Sequence, residues 1–213
     1  MHHENVANVQ KGVKVKQFEI KWQLMMKLKD IANIRAGHPF RGKVIENKDA
    51  PTKVIQIRDI SRDGKINWET VISANVENKR GNVGWLQKGD VIFTARGPKN
   101  IAACLAHELE EPIVCSPHFF IIQVTKPDEL LPEFLAWQLN QAPAQRYFDG
   151  MAEGSWQVGI NKSSILELKL AVPDIDTQYK IIELAKTALK EKRIMLELIR
   201  NRESQLQGIA RKI

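Results

Sequence analysis

Two pairs of side chains near the middle of the chain have the types and spacing of metal ligands. Cys104 precedes His107 by three positions, and Cys115 precedes His118 by the same interval. Thiolate and imidazole groups at such short intervals are typical of structural zinc sites. However, Cys104 lies in an apolar pattern that indicates a strand, and Cys115 directly follows two apolar residues. We therefore expect both cysteines to pack in the core, and we predict no metal site.

A second pattern echoes part of a nuclease motif, with Pro127 and Asp128 followed much later by Glu167 and Lys169. We interpret Asp128 as a turn or helix-cap residue and Lys169 as a member of an alternating strand. The chain also lacks a Gly-x4-Gly-Lys-Ser/Thr phosphate loop, a glycine-rich strand–turn–helix for a methyl donor, and an Asn-Pro-Pro-aromatic segment that holds a flipped adenine. The sequence therefore predicts no catalytic residue and no cofactor, so any catalysis must come from partners.

Lysine, arginine and asparagine side chains in predicted loops suit binding of an anion rather than catalysis. The stretch 86–97 contains a turn signal at Lys88-Gly89-Asp90, then an apolar strand pattern at 91–94 that leads directly into a loop with Arg96, Lys99 and Asn100. A rigid strand that delivers such side chains to a loop suits binding to phosphates and base edges of DNA. The alternative is an ordinary hairpin whose loop is charged only to stay soluble.

Several other predicted loops carry the same residue types. For any one member a solvated surface position is an equal alternative, because the 32 lysines and arginines cannot all touch DNA. Trp156 is similarly open, since it could face DNA or cap the core. The candidate DNA-binding residues are Arg41, Lys43, Arg62, Lys65, Lys79, Arg80, Arg96, Lys99, Asn100, Ser155, Trp156, Gln157, Asn161 and Lys162.

The overall composition agrees with a polyanionic partner. The 213 residues have a formal net charge of +7, a hydrophobic content of 43% and a charged content of 27%, which describe a globular protein. No apolar run approaches the ~20 residues of a membrane span, and the start has no signal-peptide pattern. The 2 cysteines suit a reducing compartment. We expect a cytoplasmic protein with no membrane partner.

The elements that must position these loops are mostly short strands. Apolar and alternating patterns predict strands at 28–37, 54–60, 91–95, 101–106, 119–124 and 165–172, and helical spacing predicts one helix between Pro132 and Gly150. A polar, unpatterned tail over residues 1–24 precedes them. We therefore predict a mixed α/β, strand-rich globular domain over residues 25–173, which we expect to be the part that binds DNA.

Residues 174–213 have a different pattern, with no proline and a single glycine. Seam positions recur at alternating three- and four-residue steps, and all of them except Lys192 and Glu203 are apolar, which predicts a long coiled-coil helix. At ~1.5 Å per residue it would be roughly 55 Å long, too long for its own domain to cover. The alternative is a helix folded back across that domain. The predicted dimer seam is Ile182, Ala185, Leu189, Lys192, Leu196, Ile199, Glu203, Leu206, Ala210 and Ile213.

The two polar seam positions favour an antiparallel homodimer. If two copies pair about a point between Glu197 and Leu198, Lys192 of one copy faces Glu203 of the other. A parallel homodimer would instead place each of these charges opposite itself inside the seam. We therefore predict antiparallel pairing.

This arrangement resembles half of a type I restriction–modification specificity subunit. The resemblance spans roughly 28–213 and includes the segments 28–37, 55–64, 86–97 and 168–173, followed by Gln178 and the apolar pair 181–182. It implies two target-recognition domains separated by two antiparallel helices, which two copies of this chain would rebuild, so that the dimer reads a bipartite palindromic DNA site. It also implies an adenine-N6 methyltransferase subunit and a restriction endonuclease/translocase subunit as partners, with no catalysis by this chain.

Two questions stay open at the level of sequence. The partner helix can be an identical chain or a different specificity half. A coiled-coil adaptor whose charged loops bind other proteins is the alternative function, and an independent enzyme is a more distant one.

Overall fold

The computed structural model describes residues 24–77, 83–97, 99–152 and 159–211. The strands are β1 Leu24–Lys27, β2 Ala32–Ala36, β3 Lys53–Ile55, β4 Ile72–Ser73, β5 Val91–Thr94, β6 Ala102–Cys104, β7 Ile113–Cys115, β8 Phe119–Val124 and β9 Lys169–Val172. The helices are α1 Pro132–Leu139, α2 Ala142–Ala152, α3 Lys162–Leu166 and α4 Ile175–Ala210. The predicted fold class, a mixed strand-rich domain followed by one long helix, is confirmed.

A four-stranded antiparallel sheet forms the centre of the domain, in the order β2-β8-β5-β6. All four residues of β5 are buried, since this strand is covered on both faces. Its Val91 and Phe93 side chains face a core shared with α1 and α2, whereas Ile92 faces a second core. Because successive side chains of a strand point to opposite faces, β5 separates the two cores of the domain.

Two smaller sheets complete the domain. The three-stranded sheet β4-β3-β7 contributes Ile55 and Cys115 to the second core, and β3 runs parallel to β7. The pair β1-β9 brings the two ends of the domain together, with Leu24 opposite Val172. Leu24, which we assigned to the tail, is therefore the first residue of β1.

The predicted helix between Pro132 and Gly150 was wrong in extent, because it is two helices. The break falls at Asn140, whose Nδ2 donates to the carbonyl of Ala102 (2.8 Å) and whose Oδ1 accepts from its N–H (2.8 Å). This reciprocal pair fixes the end of α1 against the edge of the central sheet.

The predicted strand over 165–172 was also wrong in its first part. Asn161 caps a short helix, with its Oδ1 accepting from the N–H of Ser164 (2.8 Å), and Ile165 in that helix is fully buried. The strand β9 begins only at Lys169.

Helix α4 starts on the domain and then leaves it. Asp174 caps its first turn by accepting from the N–H of Thr177 (2.8 Å). Gln178 is fully buried and Ile182 is 5% exposed, whereas every described residue from Lys190 to Arg211 is exposed. None of the described helices has the length and apolar character needed to cross a membrane.

The burial of Ile182 corrects its place in the predicted dimer seam. Its side chain packs in the core of its own domain, together with the half-buried Ile181. A partner helix therefore cannot cover Ile182, and the free seam starts at the half-buried Ala185 and Leu189.

Candidate nucleic-acid interface

Three strands end at the same side of the domain. Because β2 and β5 both pair antiparallel with β8, they run in the same direction, and their last residues Ala36 and Thr94 lie opposite Phe120 and Phe119. β3 ends beside them, since the carbonyl of Ile55 accepts from the N–H of Ser116 (2.9 Å). The loops that follow β2, β3 and β5 therefore emerge together, next to the turn at 116–118.

The loop after β2 leaves the sheet at a position where only glycine fits. A Cβ atom on Gly37 would clash with the backbone carbonyl of Ser116. The next residue, His38, donates its N–H to the carbonyl of Cys115 (2.8 Å). The loop then carries Arg41 and Lys43, both exposed, away from the sheet.

The loop after β5 is held by two neighbouring segments. The N–H groups of Ala95 and Arg96 donate to the carbonyl of His118 (2.9 and 3.3 Å), and the N–H of Ile160 donates to the carbonyl of Ala95 (2.8 Å). Gly159 lies directly against the side chain of Arg96. The exposed residues Asn161 and Lys162 are therefore brought close to Arg96, although they are far from it in sequence.

The turn that contains Arg62 and Lys65 packs on the free edge of β6. Gly64 has a φ of 74°, and a Cβ there would lie 2.6 Å from the carbonyl oxygen of Ala102. The turn thus lies at the same end of the sheet as the loop after β5, with Arg62 and Lys65 exposed and Asp63 between them.

Several exposed cations gather at this end of the domain without acidic partners. None of the candidate cations in these loops forms an ion pair with any residue in the described part of the chain. Some lysines elsewhere on the domain do have such partners, namely Lys27 and Lys29 with Glu167, and Lys88 with Glu108, whereas the exposed Lys169 on β9 has none among the described residues. The unpaired cations are Arg41, Lys43, Arg62, Lys65, Arg96, Lys99 and Lys162.

The two described amides among the candidates have structural roles. Asn100 donates its Nδ2 to the carbonyl of Thr94 (2.7 Å) and so braces the loop after β5. The Oδ1 of Asn161 accepts from the N–H of Ser164 and from the hydroxyl of Ser163 (2.6 Å) as the cap of α3. Base contacts by these amides stay a prediction, and such contacts would compete with the bonds described here.

Some candidates lie outside the described residues, so their placement adds nothing to the prediction. They are Lys79, Arg80, Ser155, Trp156, Gln157 and, in the dimer seam, Ile213.

The structure adds residues to this end of the domain that sequence reasoning missed. Arg58, 60% exposed, follows β3 on a short 3-10 helix whose Ile57 packs against Gly97 of the loop after β5. His118 is exposed, and the half-buried His38 stacks edge-on against Phe40, with burial lowering the pKa of its imidazole. The alternating stretch 54–60 hid Arg58, because we interpreted all of it as one strand.

The residues whose spacing resembled a zinc site or a nuclease motif have other structural roles. Cys115 is buried and Cys104 half-buried, and burial raises the pKa of each thiol to about 12. Among residues 24–77, 83–97, 99–152 and 159–211, no cluster of three or more histidine, cysteine or acidic side chains is arranged to hold a metal ion. Glu167 binds Lys27 and Lys29 at 2.6 and 2.7 Å, which lowers the pKa of its carboxyl to about 2.

The part of α4 that projects from the domain exposes apolar side chains in the predicted dimer seam and also outside it. Within the seam, Leu196, Ile199 and Leu206 are 44%, 53% and 61% exposed. A second row lies beside it, and its large members are similarly exposed: Leu184 60%, Met195 62%, Leu198 63% and Ile209 58%.

Two solved structures, with TM-scores of 0.54 and 0.58, share this architecture. The chain is similar to the HsdS subunit from Thermoanaerobacter tengcongensis, with 15% identity, a TM-score of 0.54, and coverage of 79% of this chain and 37% of that one. A structure described as the basis of complex assembly and conformational transition of the type I R-M system gives 14% identity, a TM-score of 0.58, and coverage of 87% and 43%. The S subunit from M. genitalium gives 13%, a TM-score of 0.48, and coverage of 86% and 42%.

The chain spans less than half the length of each of these proteins. At such identities the likeness concerns the fold. No curated protein sequence matches the chain. The family model of the type I restriction modification DNA specificity domain matches residues 19–200. Since this match covers most of the chain, the protein belongs to the type I restriction modification DNA specificity domain family.

Proposed function

We propose that this chain is a non-catalytic DNA sequence-recognition subunit of a type I restriction–modification system. In this proposal the domain over residues 25–173 reads one half-site and the helix over residues 174–213 joins it to a second reader. Membership of the specificity-domain family supports the DNA-recognition role. The single structural observation that supports it best is the convergence of unpaired cations at one end of the sheet.

That convergence suits a duplex for a physical reason. Lysine and arginine side chains without acidic neighbours can neutralise phosphates and release counterions, which is the main source of DNA affinity. Arginines such as Arg41, Arg62 and Arg96 can in addition bind guanine edges with two hydrogen bonds, worth about 1–3 kcal/mol of discrimination per good pair. Lysines in the same loops contribute to affinity more than to sequence choice.

The homodimer in our proposal follows from the free part of α4. Leu196, Ile199 and Leu206 cannot be covered by the domain of the same chain, because the helix has left it by Lys190. An antiparallel second copy would cover them and place Lys192 opposite Glu203. The resulting two-fold symmetry implies a bipartite palindromic site.

The second apolar row on α4 supports further partners. An antiparallel pair of helices buries the seam but leaves Leu184, Met195, Leu198 and Ile209 at its side. We propose that helices of an adenine-N6 methyltransferase subunit cover this row, and that a restriction endonuclease/translocase subunit joins the assembly. These partners would supply methylation and cleavage.

DNA binding and its salt dependence test the proposal. The purified chain should select a gapped, symmetric sequence from a random duplex library, and its affinity should fall steeply with salt because of the phosphate contacts. Methylome sequencing of cells that express the chain with its methyltransferase should give the same motif. A chain that binds no duplex at low salt but captures other proteins through its loops would instead be an adaptor.

A further inference from the structure

The free part of α4 has two chemically different sides next to its dimer seam. Counted in heptads, Lys186, Arg193 and Arg200 recur every seven residues directly beside the seam. On the opposite side of the seam lie the members of the apolar row. We call the first group, with Lys190 and Arg211 one position further round the helix, the basic flank: Lys186, Lys190, Arg193, Arg200 and Arg211.

An antiparallel pair keeps these two sides apart. The two-fold axis that relates the helices is perpendicular to the plane that contains both of them. Rotation about this axis exchanges the helices but keeps each face of the pair on its own side, so the basic flanks of both copies lie on one face. On that face Arg193 comes next to Arg200 of the second copy, offset along the axis by two residues or ~3 Å. The two-fold axis generates a second contact, between Arg200 of the first copy and Arg193 of the second copy. It lies seven residues, or about 10 Å, further along the helix pair. Four guanidinium groups therefore gather around the two-fold axis.

These guanidinium groups have no acidic partner in the described structure. Neither Arg193 nor Arg200 forms an ion pair within residues 159–211 or with the rest of the described chain. Glu197 is the nearest acid on this side in sequence, and it is one carboxylate between two arginines. Lys186 is itself paired with Glu183 at 3.1 Å and with Glu133 of α1 at 3.3 Å, so the members of the basic flank available to an anion are Lys190, Arg193, Arg200 and Arg211. Like charges at such short distances repel, so this face of a dimer favours a bound polyanion.

We propose that the basic flank of α4 binds the phosphates of the DNA that separates the two half-sites. The proposal rests on the antiparallel, DNA-reading dimer proposed above. The exposed length from Lys190 to Ala210 is about 30 Å, which equals about nine base pairs of duplex. Phosphate contacts carry no base information, so this spacer would be held without being read. The apolar row on the other face stays free for partner helices.

The paired substitution Arg193→Gln and Arg200→Gln tests the proposal. Glutamine keeps helix propensity and removes four positive charges per dimer. The full chain and the variant are titrated, over about 50 to 300 mM salt, against a duplex selected from a random library by the wild-type protein. Each lost phosphate contact lowers the slope of log affinity against log salt by about 0.9, so the slope should fall by up to about 3.6. Base preference within the half-sites should not change.

Arg202→Gln is the matched control. Arg202 is exposed on the same helix but lies beside the apolar row, so the loss of two positive charges per dimer there should leave the slope unaltered. A second readout has the opposite sign: without DNA, the double variant should dimerise at least as tightly as wild type in sedimentation experiments, because like charges have been removed. A fold or dimer defect would weaken both DNA binding and dimerisation.

Neutral methylphosphonate linkages in the spacer give an independent readout. They should weaken binding of the wild-type protein more than binding of the double variant. If the wild-type protein binds as a dimer and the double variant has the same slope and affinity, the proposal is wrong while the proposed function stands. If the double variant loses affinity only for the methyltransferase subunit, an acidic protein surface is the occupant and the proposal is also wrong. If the wild-type chain neither dimerises nor binds DNA, both the proposed function and this proposal for the basic flank are wrong.

Discussion

Gln178 is the side chain on which the junction between the domain and α4 depends most. It is fully buried in the second turn of the helix. Its Oε1 accepts from the N–H of Leu131 (2.9 Å), and its Nε2 donates to the carbonyls of Glu129 and Pro173 (both 2.8 Å). One amide thus connects the start of α1, the segment before it and the segment that leads into α4.

Replacing Gln178 with methionine keeps the volume and the helix propensity but removes all three hydrogen bonds. Each bond contributes about 1 kcal/mol net, so the free energy of unfolding should fall by about 3 kcal/mol. For a domain of this size the Tm should drop by roughly 6–12 °C. Denaturant unfolding of the full chain, followed by circular dichroism, measures this. Gln207→Met, at an exposed position of the same helix, should change the stability by less than about 0.5 kcal/mol.

The variant Gln178→Glu adds a test of the same geometry by pH. An ionised carboxylate there would face the carbonyl oxygens of Glu129 and Pro173 without a proton to donate, in a buried place that disfavours charge. The folded-state pKa of this new carboxyl would be raised, so stability is present at low pH and is lost as pH rises. Gln178→Glu should therefore be less stable than Gln178→Met at pH 7, with a smaller gap near pH 5. A Gln178→Met protein within about 1 kcal/mol of wild type would refute this account of the junction.

Three further predictions concern charge and thiol chemistry. Reversing the charge of Lys192 should weaken dimerisation in analytical ultracentrifugation, and adding the reversal of Glu203 should restore it. If the double reversal does not restore dimerisation, the antiparallel register is wrong. The pKa of Glu167 is lowered from 4.5 to about 2, so its ion pairs contribute stability above about pH 4.5 that is lost as pH falls towards 2. Glu167→Gln should accordingly lower the Tm at pH 6 but not near pH 2. Cys104 and Cys115, with pKa values of about 12, should resist iodoacetamide at pH 8 until the protein unfolds, and rapid labelling of the native protein would contradict their burial.

Sequence patterns predicted the elements that depend on their own residues. The strand at 119–124 is confirmed residue for residue as β8, and α4 begins one residue after the predicted boundary. Both have strong periodicity and clear ends, with Asp174 as a helix cap. By contrast, β7 has only three residues and depends on a parallel partner far away in sequence, so no local signal marked it.

The candidate site could be predicted in its parts but not in its assembly. Charged loops identified Arg62 and Arg96, but their shared location depends on Gly64 packing against β6 and on the contacts of Ala95 with distant segments. Asparagine is the residue type that misleads most, because the same amide can bind a base or the backbone. Asn161, three residues before the N–H that it caps, matched a helix-cap spacing that sequence inspection could have found.

The reciprocal pairing of Asn140 with Ala102 has a consequence for synthesis of the chain. β6 is the last strand of the central sheet, and this one side chain satisfies backbone groups on its outer edge. During translation the four strands of the sheet leave the ribosome before α1 does. The turn at Gly64, which packs on this edge, has already emerged by then, but the N–H and carbonyl of Ala102 lack their side-chain partner, and can pair with another chain, until Asn140 emerges.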